Sequence, residues 1–347
     1  LFIWSPVKAG QAWSCGGGYV TQTTDGGAHF AWANNGYNGY TCAGLFNFNP
    51  QNPDLLLVTS QDTNSAFTTD ITAAPVAWRY LEVSGKGWGG FNYGGYALNP
   101  QVLFAGNSAA WGAPSTLMVS TDGGNQWKST DLVGNETQTS CGDPSNPAIA
   151  FWDNYRTMDA GTSWQTMNDC DGVFTYNPAD NQELYGAKGG AVVVSTDHGA
   201  TWNALTTVSG KITDLAFDGK RRRLYITTGS LFEYDIPTRL LSDMSFLLGM
   251  DNEGKRNAIS VAVDPQDTDV VYTAWHGDSY TSNQSVRRSL DGGKTWKSLN
   301  LQPGDKGPDG GLESQCVRVH PVTRYLYSGG SCFGLWRYPP PDSKTGK

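Results

Sequence analysis

The sequence predicts an all-β chain, folded as a seven-bladed β-propeller, and three observations lead there. A phrase of the form Ser-x-Asp-x-Gly-x-x-Trp recurs along the chain. Between its copies lie short apolar runs, often ended by Asn-Pro or Asp-Pro, at the spacing of strands joined by tight turns. Finally, 43 Gly, 13 Trp and 16 Tyr in 347 residues suit many strands and turns, and no long stretch carries a helical period.

Taken in order, the chain opens on strand material, Leu1-Phe-Ile-Trp-Ser-Pro-Val, rather than on a leader. Residues 19–33 read as two strands around one loose copy of the phrase, Thr24-Asp25-Gly26-Gly27-Ala-His-Phe30. The first full blade begins at Gly44-Leu-Phe-Asn-Phe-Asn-Pro50, the next at 93–100, and a degenerate one spans 140–167. Further blades begin at Gly172-Val-Phe-Thr-Tyr-Asn-Pro178, at Ile212-Thr-Asp-Leu-Ala-Phe217 and at Ile259-Ser-Val-Ala-Val-Asp-Pro265. The blade from Ile259 shows the whole unit: a first strand, then Val270–Trp275, Ser285–Ser289, the phrase, and Trp296–Asn300. The last blade has three strands, from Val317, Tyr325 and Gly334, and lacks a fourth. The strands of residues 19–33 are expected to complete it and so close the ring without a free sheet edge. Residues 239–250 are the one stretch that suits a short helix. The expected organisation is a single domain over 1–347.

The phrase has a physical reading. Its Asp bonds backbone N–H groups further along, its Gly accepts positive φ, and its Trp opens the next strand and covers the turn. The copies are Ser120-Thr-Asp122-Gly-Gly-Asn-Gln-Trp127, Ser195-Thr-Asp197-His-Gly-Ala-Thr-Trp202, Ser289-Leu-Asp291-Gly-Gly-Lys-Thr-Trp296 and the looser Thr157-Met-Asp159-Ala-Gly-Thr-Ser-Trp164. This resembles the Asp-box (BNR) repeat of sialidases, xyloglucanases, sortilin and photosystem assembly factors. The resemblance implies a propeller in which the boxes are folding devices in turns between third and fourth strands.

A formal charge of −8 argues against nucleic acid or an anionic membrane as partner. No apolar run approaches ~20 residues, the length of a membrane-spanning helix. Six cysteines lack zinc-site spacing and suggest up to three disulfides, with Cys15–Cys42, Cys141–Cys170 and Cys316–Cys332 as the expected pairs. With the sequons at Asn135 and Asn283 they point to a secreted glycoprotein. No cofactor or metal is expected.

In such a ring, the turns between second and third strands share one face with the links between blades, and binding residues concentrate on such loops. These loops mix aromatic rings with carboxylates, the chemistry of a polysaccharide or oligosaccharide site. The candidate carboxylates are Asp62, Asp153, Asp278 and Glu313, and the candidate sugar-stacking or binding side chains are Trp88, Trp111, Trp152, Trp275 and Tyr280. The run from Gly44 to Asp62 is similar to the first blade of the two-propeller xyloglucanases, where an Asp at the end of a second strand is catalytic. That likeness implies a glycoside hydrolase with Asp62 in that role, in a chain that forms part of a longer tandem-propeller protein. A lyase acting on a uronate glycan is the alternative, with Lys255 and Arg256 neutralising the carboxylate and His276 with Tyr280 moving the proton. A non-catalytic glycan- or protein-binding propeller is a third reading. A sialidase is not expected: the Phe/Tyr-Arg-Ile-Pro segment is missing, and Arg221-Arg222-Arg223 falls in a turn on the other face.

Overall fold

A computed structural model describes residues 2–16, 19–33, 41–42, 46–61, 63–87, 89–110, 113–134, 139–177, 180–248, 258–275, 286–299, 316–330 and 334–341. The described residues are all β apart from one 3-10 turn, Ser245–Leu248, which follows the strand Leu240–Asp243 where a short helix was expected. The strands form antiparallel meanders in chain order. Four-stranded meanders span 140–166, 172–207, 214–243 and 258–299, and a three-stranded one spans 316–338. The sheet at 91–134 is a four-stranded meander extended past Phe91–Ala97 by the short strands Ser60–Gln61 and Thr41–Cys42. Leu56–Val58, Ser65–Thr68 and Arg79–Leu81 make a further sheet of three.

The first strands line up side by side: Gly172–Asn177 lies against Asp214–Asp218, which lies against Ala258–Val263, which lies against Cys316–Val319. Apolar clusters fill the spaces between sheets, as in Tyr185, Phe217, Leu224 and Ile226. The end of this series meets its beginning. Phe46 and Phe48 pack with Leu56 and Val58 on one side and with Cys316 and Tyr327 on the other. Tyr327 Oη donates to Ile71 O (3.1 Å), and Arg337 Nη1 to Thr72 O (3.1 Å).

The N-terminal strands depart from expectation. Tyr19–Thr23 and Ala31–Trp32 pair with Phe2–Trp4 and Ala12–Gly16 in a four-stranded sheet of their own. Among the described residues no ladder joins them to the 316–338 sheet. Short hairpins close at low entropic cost, so these strands pair with their neighbours in sequence rather than with the far end of the chain.

The recurring phrase folds the same way five times. In the copy at Ser289, Ser289 Oγ donates to Asp291 Oδ1 (2.7 Å) and accepts from Gly293 N (2.8 Å), while Thr295 N donates to Asp291 Oδ1 (2.9 Å). The copies at Thr23, Ser120, Thr157 and Ser195 repeat the hydroxyl–Asp and Gly N–H bonds. The residue after each Asp is left-handed: Gly26, Gly123 and Gly292 adopt it freely, Ala160 and His198 against a steric cost.

The expected disulfides are absent where they can be seen. Cys141 and Cys170, the one expected pair that is described at both ends, are buried free thiols, and Cys316 is buried. Cys141 Sγ lies against Gly142 O (3.1 Å) on a first strand, whereas Cys170 packs on Gly186 with its thiol near Gly172 O (3.8 Å). Each has its own partner in the core, where a thiol behaves as a small apolar group. Burial pushes the Cys141 and Cys170 thiols up to about 12 and the Cys316 thiol to about 11. The side chains of Cys15 and Cys42, and the whole of Cys332, Asn135 and Asn283, lie outside the described residues.

Candidate functional site

Antiparallel strands put the phrase-bearing turns at Asp122, Asp159, Asp197 and Asp291 at one end of their sheets, each between a third and a fourth strand. There the Asp carboxylates are consumed by their own turns. Side-chain and backbone bonds from Thr295 hold Asp291 down to about 2, and Asp122 is lowered chiefly by the Gln126 N–H. These groups are structural.

At the opposite end, the strand Ala150–Trp152 delivers Asp153 into a turn. Asp153 is 1% exposed, and its backbone is left-handed (φ 51). Trp152 beneath it is wholly buried among Tyr96, Phe104 and Leu117, so it supports the turn and presents no face to a ligand. Gly134 on the adjoining sheet allows a close approach: a Cβ there would sit 2.5 Å from Asp153 Oδ2 and 2.7 Å from Trp152 Cη2.

Asp153 lines a cavity of about 200 Å³ together with Asp171, Val173, Ala187, Gly189, Lys211 and Ile212. Asp153, Asp171, Gly189, Lys211 and Ile212 come from loops at this end, Val173 and Ala187 from the strands Gly172–Asn177 and Asp180–Lys188. Asp171 is held firmly. Its Oδ1 accepts from Lys188 Nζ (2.8 Å) and its Oδ2 from Gly189 N (3.0 Å). The Asp171 bond in turn raises the Lys188 amine above its ordinary value. Val173 is left-handed (φ 58), a costly conformation for a β-branched residue, and its N–H donates to Thr139 Oγ1 (2.6 Å). Two strained residues on one cavity wall mark this spot, since such strain collects at functional sites. Neither Asp171 nor Lys211 carries a motif; the one local signal is Asp171 preceding Gly172, itself at φ 116.

Of the other sequence-predicted site residues, Asp62, Trp88, Trp111, Lys255, Arg256, His276, Asp278, Tyr280 and Glu313 lie outside the described residues, as does the side chain of Trp275. Among the described residues no three His, Cys, Asp or Glu converge as metal ligands, and no helix is long and apolar enough to cross a membrane.

A polar belt crosses the first strands near the same end. Arg318 Nη1 and Nη2 donate to Asp214 Oδ2 (2.7 Å) and Oδ1 (3.0 Å), and Arg318 Nε donates to Asn47 Oδ1. Asn47 Nδ2 continues to Ser140 O (2.6 Å), and Ser260 Oγ donates to Asp214 Oδ2 (2.6 Å). Burial works against the Arg318 charge, but Asp214 outweighs it and holds the guanidinium above its ordinary value. Below the belt a cavity of about 160 Å³ runs between the first strands, walled by Phe48, Phe174, Leu215, Val261 and Val319. Arg318 is saturated by its partners, so this cavity offers packing surface and no free charge.

No family model and no curated protein matches the sequence. Among solved structures, the chain is similar to the GH74 xyloglucanase from Xanthomonas campestris, with TM-score 0.66 and 14% identity over 86% of this chain and 52% of that one. It is similar also to YCF48 bound to D1 peptide, with TM-score 0.59 and 15% identity over 88% of this chain and 96% of that one. The Swd1 β-propeller domain of Myceliophteria thermophila gives TM-score 0.55 and 14% identity over 85% of this chain and 97% of that one. These likenesses show the fold alone, a β-propeller. The chain spans about half the length of the xyloglucanase it matches.

Proposed function

We propose that this β-propeller is a secreted glycoside hydrolase acting on a plant or microbial polysaccharide, with its cleft on the face that carries Asp153. In this reading 1–347 is one domain, a seven-bladed ring whose turns are Asp boxes. The observation that carries it is the cavity that brings the buried Asp153 together with the clamped Asp171 and with Lys211. Glycoside hydrolysis needs two carboxyl groups. Asp153, shielded from water, acts as the acid: it gives its proton to the glycosidic oxygen as the anomeric C–O bond breaks. Asp171 accepts a proton from the water whose oxygen bonds the anomeric carbon. Asp62, Asp278 and Glu313 remain proposed further carboxylates on this face, with Trp88, Trp111, Trp275 and Tyr280 as stacking surfaces.

The test is hydrolysis of a panel of plant and microbial glycans by wild type and by Asp153→Asn and Asp171→Asn. Loss of ~10²-fold or more in either variant is expected from removal of an acid or base. Unchanged rates in both, on a glycan the wild type cleaves, would sink the assignment.

A second reading is a binding propeller that turns nothing over. It is favoured by coverage: the chain spans 96% of YCF48 bound to D1 peptide but 52% of the xyloglucanase. Binding of a glycan or peptide without product release would select it. The lyase reading rests on Lys255, Arg256, His276 and Tyr280, and release of unsaturated uronate is its test.

A further inference from the structure

The link between Thr68 and Arg79 opens like the recurring turn and then departs from it. Asp70 N donates to Thr68 Oγ1 (3.1 Å), as Asp197 N does to Ser195 Oγ (3.3 Å). Asp70 Oδ1 accepts from Thr72 N (3.0 Å), Thr72 Oγ1 (2.7 Å) and Ala73 N (3.0 Å). In the copies at Asp159, Asp197 and Asp291 a Trp follows the Asp by five residues, and its Nε1 donates to a glycine carbonyl of its own turn, as Trp202 to Gly199 O (3.2 Å). Here Trp78 follows Asp70 by eight, across Ile71-Thr-Ala-Ala-Pro75-Val-Ala77, and no glycine lies between them. Trp78 does not fold back on its turn. Half-buried, it packs with Val76 and Leu335 on the cluster of Phe46, Leu56 and Tyr327.

Between the expanded turn and the strand Gly334–Tyr338 lies a cavity of about 580 Å³. Its walls are apolar, with Ile71, Pro75, Val76, Trp78 and Leu335, and its charge comes from Arg337. Both the size and the composition suit a small ligand: such pockets hold ~300–1,000 Å³ and set a few fixed polar groups in apolar walls.

Register turns Arg337 toward this space. It pairs with Tyr327, and both reach the expanded turn, Tyr327 Oη at Ile71 O and Arg337 Nη1 at Thr72 O (3.1 Å). Arg337 Cζ stands 5.2 Å from the Tyr325 ring centroid, which braces the guanidinium from behind. These contacts hold the charge without neutralising it, and Nη1 supplies at most two of the five donors. Among the described residues Arg337 has no carboxylate at ion-pair distance, whereas Arg221, Arg222, Arg223, Arg318 and Arg324 each have one. No Asp or Glu lines the cavity, and Asp70 beside it is occupied by Thr72 and Ala73. A fixed cation over an apolar recess, in a chain of net charge −8, complements an anion with an apolar body.

We propose that this recess binds a small aryl carboxylate, its ring against Trp78 and its carboxylate accepting from Arg337. A sugar suits it less, because its hydroxyls would meet aliphatic walls. The expanded turn joins the last two strands of its sheet, as the phrase-bearing turns do, so the recess belongs to their end and not to that of Asp153. It stands apart from the proposed hydrolytic cleft.

Calorimetric titration of the full chain with 3-phenylpropionate and with its uncharged amide tests this. Saturable binding of the acid in the millimolar range or tighter is expected, with the amide at least ~10-fold weaker. Trp78→Ala is expected to weaken the acid ~10-fold or more, and Arg337→Met to bring it to the level of the amide. Asp153→Asn is expected to bind the acid as wild type does, whatever its effect on hydrolysis. No binding of the acid by wild type overturns the proposal, as does equal binding of acid and amide. Binding kept in Trp78→Ala and lost in Asp153→Asn overturns it too, as does tighter capture of the peptide Gly-Gly-Phe, which would make the recess a site for a protein C-terminus. Where Arg337→Met does not fold, Arg337→Lys replaces it. The acid is then expected to weaken ~3–10-fold as the paired donors are lost, with the amide unchanged, and an unaltered ratio of the two overturns the assignment.

Discussion

His198 reaches from the 172–207 sheet to the buried Asp143 of the preceding sheet, with Nδ1 2.9 Å from Oδ2. It does so from a left-handed backbone (φ 58), at the position that Gly26, Gly123 and Gly292 occupy in other copies of the turn. Asp143 also accepts from Ser145 Oγ (2.7 Å) and Asn146 N (3.0 Å), and Arg156 Nη1 donates to His198 O (3.1 Å). One turn thus gives up backbone comfort for a contact between sheets.

Two substitutions separate those effects. His198→Ala loses the contact and keeps the strain, whereas His198→Gly loses both. The Gly variant is expected to be more stable than the Ala variant by about 1 kcal/mol. Urea denaturation midpoints of the two variants check this, and an Ala variant equal to or above Gly contradicts the strain assignment.

The turn carboxylates set a response to acid. Asp291 titrates at about 2 in the fold, held down first by the Thr295 hydroxyl; unfolded, an Asp titrates at ~3.9. A depressed folded value means stability that is fully present above ~4 and lost as pH falls toward about 2. The stability difference between wild type and Asp291→Asn is therefore expected to shrink over that window and to be flat from pH 5 to 7. Denaturation midpoints as a function of pH measure it; a difference that grows on acidification refutes it.

Gly134→Ala places a methyl against Asp153 Oδ2 and the ring of Trp152. Trp152 is locked in the core, so Asp153 and its turn must move. A loss of about 1–3 kcal/mol in stability is expected. Any ligand affinity or hydrolysis that depends on Asp153 falls with it. A variant of wild-type stability and activity would show that the turn yields freely.

The belt gives the largest expected effect. Arg318→Met leaves Asp214, 1% exposed, without its counter-charge, at a cost of about 3–5 kcal/mol. Arg222→Met removes the half-exposed pair to Glu183 and is expected to cost under ~1 kcal/mol. Chemical denaturation of both variants ranks them, and similar losses would contradict the role given to Arg318.

Much of the fold was legible because its signals are local. The turn phrase names its own hydrogen bonds, and every full copy of it lies between the strands it predicts. What was not legible depends on partners distant in sequence. The strands of 19–33 were recognisable as strands, but periodicity does not say which edge a strand joins. An even cysteine count suggested bridges, yet Cys141 and Cys170 are packed as apolar groups, which no spacing reveals. The sequence put Asp153 at the end of a strand, and it does follow Ala150–Trp152. Asp171 became its neighbour through packing of the next sheet, and Trp152, read as a binding surface, was drawn into the core by the same packing.

Ser60–Gln61 leaves its own sheet to pair with Phe91 and with Thr41–Cys42. That detour makes the hoop unevenly sewn. Between the 56–81 and 91–134 sheets, backbone ladders cross the boundary, so the two must come apart together. Between the 316–338 sheet and residues 46–73, each described bond involves a side chain, as from Arg318 to Asn47 and from Tyr327 and Arg337 to Ile71 and Thr72. A hoop under thermal load parts at its weakest stitch. Amide protons near Ile71 and Tyr327 should therefore exchange through local opening before those of Phe91–Ala97, and the ring would unroll from that point as a strip of sheets.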